Sequence, residues 1–148
     1  MSTCPAPEST DLARSAVLDC LAAFPSIRFR VTGDCMRPTL PAGTTVTVAS
    51  AGRVRPRLGD IVLVELPEGL RLHRLIWGPP VARGSAWRTK GDGAWLWDAR
   101  TPPEAVLGTV IACESGDPRR GRIRRTARSL LGGLFCRLRL ALTGAGSR

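Results

Sequence analysis

The sequence predicts a mainly β domain: an antiparallel, barrel-like sheet with one helix before it and a basic amphipathic helix after it. Three observations carry this. Short runs rich in Val, Ile, Leu and Thr recur at close spacing between Pro, Gly and Asp turns. Apolar residues step by three and four near the two ends of the chain instead. The whole, 148 residues with 43% hydrophobic content, is the size of one domain and apolar enough to bury a core. The expected divisions are an N-terminal tail and helix at 1–26, a β domain at 27–113 and a basic tail at 114–148.

Met1–Ser9 is Pro- and Ser-rich and expected to fray. From Asp11 to Phe24, Leu12, Ala16, Val17, Cys20, Leu21 and Phe24 form an apolar stripe at helical spacing. Ser9, Thr10 or Asp11 is available as cap, and Pro25 as the stop. The period then changes to two. Ile27, Phe29 and Val31 alternate with Arg28, Arg30 and Thr32, the pattern of a half-buried strand. Further strands are expected at Thr44–Ala49, Asp60–Leu66, Leu70–Trp77, Ser85–Lys90 and Val106–Cys113. Gly108 in the last of these suggests a bulge or a close backbone approach.

Charge is unevenly placed. The net charge is +10, yet residues 1–118 are nearly balanced, and the excess comes from nine arginines after Asp117. There Ile123, Ala127, Leu130, Leu131, Leu134, Phe135, Leu138, Ala141 and Leu142 make an apolar stripe among the arginines, interrupted by Gly132-Gly133. Such a helix suits an anionic membrane surface, an acidic partner peptide, or packing over the sheet. No nucleic-acid reading module accompanies the charge, so nucleic acid is not an expected partner. Cys4, Cys20, Cys35, Cys113 and Cys136 are scattered, and with a single His they do not make a metal site. Free thiols in a reducing, cytoplasmic setting are expected, with no cofactor. No apolar run of about 18 residues suggests a span, and residues 1–30 lack the pattern of a secretory signal.

The most informative stretch is Val31-Thr32-Gly33-Asp34-Cys35-Met36-Arg37-Pro38-Thr39-Leu40. Gly33 and Pro38 bracket a turn that would hold the Cys35 thiol in one place, the way a nucleophile is presented. Met36 and Pro38, on the exit of that turn, are the candidate substrate contacts. Downstream lie Leu58-Gly59-Asp60-Ile61-Val62, then Leu72-His73-Arg74-Leu75-Ile76, then Arg88-Thr89-Lys90-Gly91-Asp92 with Asp98 six residues on, and finally Val106-Leu107-Gly108-Thr109-Val110. In that order these blocks resemble the type I signal peptidases and their LexA-type relatives, over about residues 27–113. The nearest likeness is to the branch of the eukaryotic endoplasmic reticulum, archaea and spore-forming bacteria. That branch has serine where Cys35 stands. The resemblance implies a nucleophile at Cys35, a general base at His73, an acidic partner at Asp98 and an auxiliary acid at Asp92.

The chemistry is coherent on its own terms. Acyl transfer needs a nucleophile, a base in reach of it and a third group that fixes the base's tautomer. A thiol beside an imidazole ionises near neutral pH, and thiolate is the better nucleophile. The sequence therefore leads to a peptidase acting on a peptide or leader sequence, in the cytoplasm or at a membrane surface through the tail. The competing reading is a non-catalytic peptide-binding or scaffold protein on the same fold.

Overall fold

A computed structural model describes residues 7–78 and 86–114. The basic C-terminal helix expected within 114–148, the frayed start and the thiols of Cys4 and Cys136 lie outside the described residues, apart from Glu114.

Helix α1, Pro7–Ala23, starts four residues earlier than the cap signals suggested, which puts Ser9, Thr10 and Asp11 inside it. A proline in the first turn costs the helix nothing, because an N–H there has no intrahelical acceptor. The backbone N–H of Phe24 still reaches the Cys20 carbonyl at 2.8 Å, and Pro25 then ends the helix. The expected apolar stripe is only partly used. Leu21 is buried and Val17 packs beside it, whereas Leu12 and Phe24 remain exposed. The buried apolar contacts of the helix thus come from its second half.

Six antiparallel strands follow: β1 (Ser26–Arg30), β2 (Thr45–Ser50), β3 (Ile61–Leu66), β4 (Gly69–Trp77), β5 (Arg88–Lys90) and β6 (Val106–Cys113). They form one sheet in the order β1-β2-β6-β3-β4-β5. The sheet is open, which corrects the expected barrel-like closure. β1 pairs with β2 and β5 with β4, but the two edges do not meet each other. Ladder irregularities at Thr47/Val48, Leu63/Val64 and Leu75/Trp77 disturb the register without closing the sheet. Gly108 supplies the close approach its position suggested, since a Cβ there would lie 2.6 Å from the Ala49 carbonyl oxygen.

The unbroken apolar run Ile61–Val64 that opens β3 is explained by burial on both faces. Ile61 and Leu63 join Val46, Val48, Leu72 and Val110 in one cluster, closed by Leu21, Met36 and Leu40. Val62, Val64 and Leu66 join Leu75 and Val106 in a second cluster on the other face, with Trp87 against it. β4, between β3 and the edge strand β5, carries His73 and Arg74 into this sheet, and the loops after β1 and β5 approach it from outside. Among the described residues no helix is long and apolar enough to cross a membrane.

Candidate active site

The turn after β1 is built from its own backbone. The Arg37 N–H donates to the Asp34 carbonyl at 3.0 Å and the Leu40 N–H to the Met36 carbonyl at 3.0 Å, while Met36 and Leu40 plug the core with no exposed surface. These anchors leave Cys35 half-buried on top, its thiol 3.9 Å from the Leu72 carbonyl of β4. The Arg37–Pro38 peptide is cis.

Gly33 is not the glycine this turn depends on. It has open space where a Cβ would go, whereas a Cβ on Gly91 would sit 2.6 Å from the Cys35 carbonyl oxygen. The Gly91–Gly93 turn lies directly on the Cys35 turn, and the Gly93 N–H donates to that same carbonyl at 3.0 Å. Gly91→Ala is therefore expected to displace Cys35 and slow its alkylation by iodoacetamide, with Gly33→Ala near wild type. Equal rates in the two variants would contradict this.

His73, central in β4 and opposite Val62, is 7% exposed. Its partner comes from the excursion after β5. The Trp87–Thr101 bridge closes the base of that excursion, and the Asp98 N–H donates to the Thr89 carbonyl at 3.0 Å, so Asp98 is tied back to the sheet. Asp98 Oδ2 then lies 2.5 Å from His73 Nδ1 and accepts the Thr89 hydroxyl at 2.5 Å. Arg88 stacks over Trp97, next to Asp98, at 5.6 Å from the ring centroid. With Nδ1 engaged, Nε2 is the ring nitrogen left for chemistry. It is buried and makes no hydrogen bond.

The electrostatics link this ring to the thiol. His73 holds the Cys35 thiol below its ordinary value of 9.0, burial opposing and Arg71 assisting, together with the residue's own backbone N–H. Burial works against charge on His73, but the Asp98 carboxylate and the adjoining Cys35 outweigh it and raise the imidazole from 6.5 to about 9. The thiol and the ring thus influence one another, while Nε2 itself makes no hydrogen bond.

Cys35, His73 and Asp98 are thus brought together. Asp92 meets the neighbouring residue of β4, Arg74. Its two oxygens take Arg74 Nε at 2.8 Å and Arg74 Nη2 at 2.7 Å, and Oδ2 also accepts the Thr39 hydroxyl. Arg74 Nη1 donates to the Gly59 carbonyl at 2.6 Å. Asp92 therefore clamps the Cys35 turn to β4. Met36 is fully buried and meets the cleft beside Cys35 only from its floor; Pro38 is exposed and is not among the residues lining that cleft.

Sequence reasoning missed Thr89, Arg74 and Thr39. Arg74 and Thr39 adjoin the singled-out His73 and Pro38, but only the fold shows which carboxylate each of the three meets. Among the described residues no group of His, Cys, Asp and Glu side chains is placed to hold a metal ion. Comparison of the chain with family models, curated proteins and solved structures gives no match.

Proposed function

We propose that this chain is a cysteine-nucleophile peptidase, a relative of the signal peptidases in which Cys35, His73 and Asp98 act as a triad on a peptide substrate. The observation that supports it most is the His73–Asp98 contact at 2.5 Å, which fixes Nδ1 and leaves Nε2 free beside a thiol whose pKa is depressed.

In this reading the Cys35 thiolate attacks the scissile carbonyl carbon, and the carbonyl π electrons move onto oxygen. The Cys35 backbone N–H is the candidate donor to that oxyanion. As the tetrahedral adduct collapses, the C–N bond breaks and imidazolium Nε2 gives its proton to the departing amine. A thioester remains. Neutral His73 then takes a proton from water, whose oxygen attacks the thioester, and the thiolate leaves as the carboxylate product forms.

The pH dependence of alkylation tests the pairing directly. Thiolate exists above the depressed thiol pKa, so labelling of Cys35 by iodoacetamide should rise with pH well before the ordinary 9.0. The imidazolium is lost as pH rises through about 9, so peptide cleavage should fall there and show a bell. In His73→Ala the thiol loses its stabilising neighbour but keeps its burial. Its labelling at pH 7 should then drop about tenfold. Superimposable pH–rate profiles for wild type and variant would remove His73 from the site and leave the non-catalytic scaffold as the better reading.

A further inference from the structure

Beside Cys35 runs a cleft of about 320 Å³ between α1, the end of β1 and the start of β4. Its floor is apolar, with Val31, Met36, Leu63 and Leu72, while its polar rim includes two arginines, Arg30 and Arg71. None of its lining residues is acidic. Acids in the surroundings are already committed elsewhere: Asp34 pairs with Arg37 at 3.0 Å, and Glu65 pairs with Arg14. Among the described residues neither Arg30 nor Arg71 has an ion-pair partner.

We propose that this cleft selects an extended peptide carrying an acidic side chain, with Arg30 and Arg71 receiving the carboxylate and neighbouring apolar residues lying on the floor. The inference deepens the peptidase reading and rests on it for the claim that the bound peptide is also cut. A guanidinium at the rim of an apolar groove keeps its donors in a planar fork that matches a carboxylate. The low-polarity floor beneath weakens screening relative to open water. Arg71 also reaches the reaction centre electrostatically, since it helps to hold the Cys35 thiol down. A substrate acid on Arg71 would therefore sit within influence of the nucleophile. The same two charges disfavour a substrate with lysine or arginine at that position.

Binding separates this from catalysis. The full chain as Cys35→Ala is titrated with fluorescent octapeptide pools, blocked at both ends, in which Glu or Gln is fixed at each position in turn and the rest are random uncharged residues. At one position the Glu pool should bind about fivefold tighter than the Gln pool, and the preference should shrink as salt rises. Arg30→Gln with Arg71→Gln should erase it, and Arg71→Glu should turn it towards a Lys pool. Equal binding of Glu and Gln pools, no binding of any pool, or a Glu preference that survives the double variant would overturn the assignment. Cleavage by the wild-type chain reads the other hypothesis. Cleavage without Glu preference overturns the carboxylate site and leaves the peptidase standing, while Glu-selective binding with no cleavage sinks the peptidase and leaves the site.

Discussion

Cys35→Ala should abolish cleavage of any peptide the wild-type chain cuts, and His73→Ala should slow it about a thousandfold, the loss typical of removing a positioned acid–base group. Both variants should stay folded. Cys35 is only partly buried above a core whose plugs are Met36 and Leu40, so its loss leaves those packed. His73→Ala removes a side chain that is 7% exposed, and leaves Asp98 still bonded to Thr89 through both backbone and hydroxyl. A thermal melt of each variant therefore accompanies the assay, so that unfolding is not mistaken for lost chemistry. Asp98→Asn gives a sharper readout. The amide keeps the shape but removes the negative charge that raises His73 to about 9, so the alkaline limb of the pH–rate profile should move to lower pH. An alkaline limb that stays in place would show that Asp98 does not set the ring's charge. Residual cleavage in Cys35→Ala would assign the nucleophile elsewhere.

The elements were legible because their periods differ. The alternation of Ile27 and Phe29 with arginines gave β1, and the two-sided burial of β3 appears in the sequence as the apolar run Ile61–Val64. Sheet closure was not legible, since nothing in the strand pattern states whether β1 and β5 pair. Neither was the reach of α1 over the core: a stripe from Leu12 to Phe24 shows which face is apolar but not how much of it finds a partner. At the site, Cys35, His73 and Asp98 stood out by type and order. The role of Asp92 did not, because it depends on strand alternation. His73 and Arg74 are neighbours in β4 and so project to opposite sides, one to Asp98 and the other to Asp92. Two aspartates in one excursion are thereby sorted to two different jobs. Gly33 looked essential from its place in the turn, yet it is Gly91, in the turn after β5, that packs against the Cys35 carbonyl.

Asp92→Ala should be the most destabilising single change near the site. The Arg74 side chain is 0% exposed and that of Asp92 4%, so removing the carboxylate strands a fully buried guanidinium. Breaking one partner of a buried pair typically costs about 3–5 kcal/mol, because the remaining charge has neither water nor counter-charge. The loss reaches the nucleophile through a second route. Asp92 Oδ2 also accepts the Thr39 hydroxyl, four residues past Cys35, and the adjoining glycines press on the Cys35 carbonyl. Urea unfolding of Asp92→Ala should show the stability change, and at denaturant-free conditions the surviving folded fraction should alkylate Cys35 at an altered rate. Asp92→Leu with Arg74→Met separates the two effects. Filling the space with apolar volume removes the stranded charge and should recover most of the stability. The double variant still lacks the acceptor for Thr39, so its peptide turnover should remain below wild type even where its melt is normal. A loss under about 1 kcal/mol in Asp92→Ala would mean the guanidinium finds water, contrary to its burial. Full turnover in the stable double variant would reduce the clamp to a packing element with no part in holding the nucleophile.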